Sequence, residues 1–226
     1  MAVPSPYELS FSVNVMLEIH DYIKIFISLL AIVNPIGAMP IFLDVISDMP
    51  DSLRLRIINS VAVTVGLILL VSLFFGQFIL EFFGISIHSF RVGSGILILL
   101  MAISMLHAKI SPISQTKEEA DESRDKESVA IVPLSIPLLA GPGAIGTVII
   151  DAHRATGITH YAIISLEIGI LSLVLWIVLR LSPFISKHIS ATGINIFTRI
   201  MGLILAAIAV EFIAVGLKGL FPTLAS

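Results

Sequence analysis

The chain has 226 residues, of which 57% are hydrophobic and 13% are charged, and its formal net charge is −3. A soluble domain carries roughly 25% charged residues because its surface faces water, so this composition excludes an ordinary soluble protein. The chain has no cysteine, which excludes disulfide frameworks and thiolate metal sites, and its charge provides no basic surface for nucleic acid. The six histidines are scattered without metal-ligand spacing, and we expect no metal and no cofactor.

Six segments are long and apolar enough to cross a membrane, which takes about 20 mostly apolar residues. They cover residues 22–46, 57–83, 88–108, 129–152, 160–182 and 195–219. The connection 109–128 holds ten charged residues, and we expect a solvated loop because such a stretch buries too little apolar surface to fold alone. The sequence predicts an all-α polytopic membrane protein with one transmembrane domain over residues 1–226.

The distribution of lysine and arginine predicts the orientation, because cytoplasmic loops carry an excess of both. Nine basic residues fall on the side of the charged loop and four fall on the other side. We therefore expect the charged loop in the cytoplasm and both termini on the outside.

The two halves of the chain share an ordered pattern at an offset of about 107 residues. The matched residues are Pro35 with Pro142, Asp44 with Asp151, and Arg91 with Arg199. Each half holds three spans, an odd number, so repeat 2 (about 129–219) must enter the membrane inverted relative to repeat 1 (about 22–108). Inverted repeats are typical of secondary transporters, in which two equivalent halves open to opposite sides in turn.

Proline and glycine interrupt the first and fourth segments at matching positions, predicting two broken helices. Free N–H groups at the half-helix N-termini suit a carboxylate, and the small residues there leave room only for a small ligand. A simple kink with close helix packing is the alternative. The candidate substrate-binding residues are Asn34, Pro35, Gly37, Ala38, Gly141, Pro142, Gly143 and Ala144. We expect Asn34 to act as a ligand or to stabilise the break.

Charged residues in or near the spans are candidates for gating or coupling. Arg91 and Arg199 lie just inside their spans, where each either guards one opening of a pathway, pairs with a carboxylate, or reaches back to lipid headgroups. Asp44 and Asp151 lie at span ends, where a solvated or capping role is the alternative to coupling.

Two glutamates lie within the spans. Glu211 is deep in the sixth segment, and an ionisable group there predicts a proton carrier or a partner for a substrate amine. The alternative is a structural, hydrogen-bonded glutamate. Glu167 has no counterpart in the first half, and we rank it below Glu211.

An intramembrane enzyme is the main rival class. Gly93-Ser94-Gly95 is a three-residue fragment of a serine-protease elbow, but we expect no histidine in the core of another helix, and no zinc-binding motif occurs. A channel is the second rival, without a ring of repeated polar residues to support it. We expect the protein not to be an enzyme.

Three segments resemble the hallmark segments of the MarC/SnatA family, and the closest likeness is to its SnatA-type members. They are Asn34-Pro35-Ile36-Gly37 through Phe42, Val132-Pro133-Leu134 through Gly143, and Arg199-Ile200-Met201-Gly202. The resemblance implies a six-helix protein of the bacterial inner membrane with periplasmic termini, grouped with LysE-type exporters. It also implies transport of small neutral amino acids such as glycine and alanine.

We therefore expect a secondary transporter that exports small neutral amino acids by alternating access, with export of another small solute as the alternative. The expected partners are the lipid bilayer, the amino acid and a coupling ion, either a proton or sodium. A homo-oligomer stays open, and no nucleic acid is expected.

Overall fold

The computed structural model describes residues 17–46, 49–107, 139–188 and 191–225. Within these ranges the regular structure is helical, without strands. The helices are α1 (Ile19–Val33), α2 (Pro35–Ile46), α3 (Asp51–Phe82), α4 (Ile87–Leu106), α5 (Pro142–Ala152), α6 (Ile158–His188) and α7 (Ala191–Leu220), followed by a 3-10 turn at Pro222–Ala225.

Five stretches of the described chain are long and apolar enough to cross a membrane, which confirms the predicted fold class. They are Ile19–Leu43, Asp51–Phe82, Ile87–Leu106, Ile158–Ile185 and Thr192–Leu220. Of the fourth predicted segment, the structure describes the second half as the shorter apolar helix α5. Its first half and the charged loop 109–128 lie outside the described residues, so the sixth span stays a prediction.

Helix α6 continues past the predicted end at residue 182, through Pro183, to His188. A proline inside a helix removes the N–H that would bond to the carbonyl four residues earlier, here that of Leu179. The Ser182 hydroxyl donates to this carbonyl at 2.7 Å. A local side-chain donor thus replaces the missing bond and lets the helix continue.

Helices α4 and α7 lie antiparallel and in close contact. Small residues allow the approach, because a side-chain carbon added at the glycines would press on the opposite helix. The contacts are Gly95 with Ala209 and Ile213, Gly202 with Ala102 and Met105, and Gly216 with Val92 and His88. Exchanging the two halves at an offset of 107 residues maps the contact of Gly95 with the Ala209 carbonyl onto the contact of Gly202 with the Ala102 carbonyl.

The other helix contacts follow the same exchange. Helix α3 packs against α6, its counterpart in the second half. Helix α3 contacts α5, and its counterpart α6 correspondingly contacts α1 and α2. Helix α4 likewise contacts α5, and its counterpart α7 contacts α1 and α2. An inverted repeat would produce such an exchange of contacts, but residues 108 and 129, where repeat 1 ends and repeat 2 begins, lie outside the described residues, and the repeat itself stays a prediction.

The two short helices form the centre of the molecule. Nearly every residue of α5 is buried, and Phe42 of α2 is fully buried. The long helices surround them and expose large apolar side chains, including Phe74, Leu166 and Leu203. Exposed apolar surface on this scale suits contact with lipid tails.

Candidate functional site

Asn34 forms the first helix break by ending α1 and capping α2. Its φ of 45° and ψ of 65° are left-handed, a conformation that asparagine tolerates better than most residues. Its N–H donates to the Leu30 carbonyl at 2.9 Å, and its side-chain Oδ1 accepts from the N–H of Gly37 at 3.2 Å. Asn34 therefore stabilises the break, which is one of its two predicted roles.

The residues after Asn34 are suited to the start of a helix. Pro35 is the first residue of α2, where a missing N–H costs no hydrogen bond. The Ala38 N–H donates to the Asn34 carbonyl at 3.2 Å. A side-chain carbon at Gly37 would collide with the Asn34 amide, so the cap requires glycine at this position.

The second break precedes α5 and lacks an equivalent cap. Gly141 is extended, with ψ at 175°, and has no side chain to cap the helix, while Pro142 is the first helical residue. No described side chain caps the N–H groups of Gly143 and Ala144, although both residues are buried. The first turn of α5 therefore presents backbone donors inside the protein.

The two breaks lie close together. A side-chain carbon added at Gly143 would lie 3.4 Å from Cγ2 of Ile32, two residues before Asn34. It would also lie 3.1 Å from Cγ1 of Ile98 and 3.4 Å from Sδ of Met101. The N-terminus of α5 thus faces the end of α1, with α4 beside them, and little space remains around Gly143.

Asp151 lies at the far end of α5, in a polar group of side chains that we call the end cluster. Its members are Asp21, Tyr22, Asp151, Arg154 and His160. Arg154 places Nη1 at 3.5 Å from Oδ1 of Asp151 and Nη2 at 3.7 Å from Oδ1 of Asp21. One guanidinium therefore links the start of α1 to the end of α5.

His160 joins a third helix, α6, to the end cluster. Its Nε2 lies 3.0 Å from the Asp151 carbonyl oxygen, and its Nδ1 lies 3.0 Å from the Tyr22 hydroxyl. A carbonyl only accepts, so Nε2 carries the hydrogen and, in the neutral ring, Nδ1 accepts from Tyr22. The expectation that no other helix holds a histidine in its core is wrong, because His160 is fully buried.

Glu167 lies two turns further along α6 and is only 7% exposed. No described residue is a hydrogen-bond partner of its Oε2, which is fully buried. Its carboxyl is near enough to that of Asp151 for their charges to interact, but no described hydrogen bond joins the two. The sequence ranked this residue below Glu211, but the structure brings Glu167 towards the end cluster.

The other predicted gating and coupling residues are placed differently. Arg91 is half-buried and near enough to Asp151 for their charges to interact, without an ion pair between them among the described contacts, so its predicted roles stay open. Arg199 and Glu211 are exposed on α7, away from this cluster. The side chain of Asp44 lies outside the described residues.

A helical pattern links the residues that the sequence analysis missed. His160, Ile164, Glu167 and Leu171 are spaced three or four residues apart, and together with Ile168 they are buried on one face of α6. The opposite face is also apolar, including Leu166 and Leu173. The spacing therefore identifies these residues as buried only once the inward face of the helix is known.

The chain is similar to known membrane proteins over most of its length. Residues 19–221 match the family model described as MarC family integral membrane protein. It is 41% identical over 203 residues to UPF0056 membrane protein YhcE of Escherichia coli, covering 90% of this chain and 94% of that protein.

Relatives also occur in other bacteria and in archaea. The chain is 41% identical over 205 residues to UPF0056 membrane protein YvbG of Bacillus subtilis, covering 90% of this chain and 97% of that one. It is 39% identical over 203 residues to UPF0056 membrane protein MJ0972 of Methanocaldococcus jannaschii, covering 90% and 89%. No solved structure matches the chain. The extent of the family match establishes that this chain belongs to the MarC family of integral membrane proteins.

Proposed function

We propose that the protein is a secondary transporter that exports small neutral amino acids of the glycine and alanine class by alternating access. The observation that carries the proposal is the meeting of two helix breaks, at Asn34 and Gly141, where α1, α4 and α5 pack together. Interrupted helices at membrane depth persist where they are buried or line a polar cavity, and paired breaks are typical of transporter binding sites.

The chemistry of the breaks supports an amino acid as the substrate. The first turn of α5 offers the N–H groups of Gly143 and Ala144, and a helix N-terminus favours a carboxylate. In α2 the corresponding donor at Gly37 is already bonded to Asn34. The substrate carboxylate therefore binds at α5 in this proposal.

Close side chains limit the size of the substrate. Ile32, Ile98 and Met101 approach Gly143 so closely that an added carbon would touch all three. A substrate with a large side chain would need these residues to move. Glycine and alanine are the amino acids that fit with least displacement.

The helix arrangement supports alternating access. When each helix is replaced by its counterpart in the other half, the contacts between α4 and α7 map onto themselves. The contacts of α5 with its neighbours map onto those of α1 and α2. Two such halves can adopt each other's conformation and so open the site to opposite sides. We place the end cluster at the outer face of the cytoplasmic membrane, with both termini outside, following the predicted distribution of basic residues.

The test is uptake of radiolabelled glycine and alanine into proteoliposomes that contain the purified protein. We expect saturable uptake that Gly143→Leu abolishes, because leucine would fill the space beside Ile98 and Ile32. Gly169→Leu is the matched control, since Gly169 is exposed and has open space around it. Uptake no greater than in empty liposomes, from folded protein, would exclude amino acid transport.

A further inference from the structure

We propose that Glu167 is the proton-binding site that couples transport to the proton gradient. This inference rests on the proposed transport function. It differs from the expectation drawn from the sequence, which gave the coupling role first to Glu211.

The burial of Glu167 is the first step in the argument. The side chain is 7% exposed and its Oε2 has no hydrogen-bond partner among the described residues. A buried, ionised carboxylate without a partner is strongly disfavoured. A bound proton removes the charge and turns the acceptor into a donor, so the site has a physical reason to take up a proton.

The charges around Glu167 favour protonation of this carboxyl over Asp151. Arg154 forms ion pairs with Asp151 and Asp21, and Arg91 is near enough to Asp151 for their charges to interact. When two carboxylates share a site, one takes the proton, and here Asp151 has the cations. Glu167 is left with the negative charge of Asp151 as its neighbour.

The helices packed against α6 bring few other titratable groups towards Glu167. Helix α1 contributes Asp21 and Tyr22, α5 and the turn after it contribute Asp151 and Arg154, and α6 itself carries His160 and Tyr161. Helix α3 has no charged residue between Arg56 and Glu81. In α2 the charged residue is Asp44, whose side chain is not described.

The single unpartnered oxygen of Glu167 suits a proton better than a metal cation. A hard metal cation needs several oxygen ligands at once. The described residues contain no group of three or more histidine, aspartate or glutamate side chains that could hold a metal ion. A single free carboxyl oxygen, by contrast, is sufficient for a proton.

The position of Glu167 suits a coupling role. It lies seven residues beyond His160, or about 10 Å deeper along the helix axis at 1.5 Å per residue. Along the axis of α6 it therefore lies deeper in the membrane than the end cluster. A proton reaches it from the outer side when the α1–α5 ion pairs open, and leaves to the inner side in the alternate state.

The experiment compares two modes of glycine transport in proteoliposomes. Exchange of labelled for unlabelled glycine needs no net proton movement, whereas accumulation above equilibrium under an imposed pH gradient does. In Glu167→Gln, a neutral mimic of the protonated acid, we expect measurable exchange and at least a tenfold loss of gradient-driven accumulation. Glu211→Gln, the same change at an exposed site, is expected to keep both.

Retention of the pH-gradient response in Glu167→Gln overturns the inference, as does wild-type accumulation that follows a sodium gradient and ignores pH. Wild-type protein that transports no glycine would contradict the proposed function itself. Wild-type transport that does not depend on pH would contradict the proton-coupling role of Glu167 and leave the proposed transport function intact.

A second measurement needs no variant, in case Glu167→Gln does not fold. A hydrophobic carbodiimide modifies protonated carboxyl groups in apolar surroundings, and mass spectrometry locates the label in the wild-type protein. We expect label on Glu167 together with loss of the gradient response. Loss of the response with Glu167 unmodified contradicts the assignment.

Discussion

The Tyr22 hydroxyl lies 3.0 Å from Nδ1 of His160, joining the first turn of α1 to the first turn of α6 across 138 residues of sequence. Both side chains are buried, and the same imidazole holds the Asp151 carbonyl through Nε2. His160 thus connects α1, α5 and α6 through two hydrogen bonds, which hold the end cluster together.

Tyr22→Phe tests the contribution of this bond to stability. The change leaves Nδ1 of His160 as a buried acceptor without its donor, which costs about 1–3 kcal/mol. We expect a lower thermal unfolding midpoint in detergent. Tyr161→Phe is the control, because Tyr161 stacks on Phe74 and no described residue forms a hydrogen bond with its hydroxyl. Equal effects of the two changes would contradict the account of His160.

Two substitutions at Asn34 separate its backbone role from its capping role. Asn34→Ala loses the cap on Gly37 and places alanine in a left-handed conformation, for a combined loss of about 2 kcal/mol. Asn34→Gly keeps the conformation accessible and loses only a few tenths of a kcal/mol. Denaturant titration measures both. An alanine variant as stable as the glycine variant would show that the break does not depend on the left-handed residue.

Arg154→Gln tests the ion pairs that hold α1 to α5. Partly exposed pairs contribute about 0.5–1 kcal/mol, so their loss should favour the open outer state about twofold to fivefold. The chain lacks cysteine, which allows Ile25→Cys, at a buried site in α1, to report opening through its rate of thiol labelling. Arg180→Gln is the control, since Arg180 is exposed beside Trp176. An unchanged labelling rate would exclude a gating role for Arg154.

The contact between α4 and α7 is tested by enlarging one of its glycines. Gly95→Val forces a side chain against the Ala209 carbonyl and Ile213, and overpacking of this kind costs about 1–3 kcal/mol. Gly93→Val, two residues earlier, meets nothing within 4 Å and is the matched control. We expect the first variant alone to unfold at lower temperature. Similar stability of the two variants would mean that the helices are further apart than described.

The sequence predicted the parts of this structure that depend on local signals. The break at Asn34 follows from a proline and a nearby glycine, and the start of α5 follows from Pro142, so both could be placed without knowing the fold. The end of α6 could not be placed, because Pro183 signals a stop and the compensating hydroxyl of Ser182 acts only within the helix.

The end cluster was beyond local prediction for a different reason. Its members come from α1, α5 and α6, and their proximity depends on which face of each helix turns inward. In a helix that is apolar on every side, hydrophobicity does not mark that face, so the sequence did not show which of Glu167 and Glu211 lies inside, and the repeat pattern ranked them in the wrong order for burial. Burial distinguishes them, since Glu167 lies inside and Glu211 is exposed.

The most direct test of the central claim is protection of a cysteine at the break by the proposed substrate. In Ala144→Cys, in an otherwise cysteine-free chain, the thiol lies in the first turn of α5. We predict that glycine slows its reaction with a small thiol reagent, that lysine does not, and that Gly169→Cys reacts at the same rate with or without glycine. Unchanged labelling of Ala144→Cys in glycine, in a variant that still transports it, would place the amino acid site elsewhere.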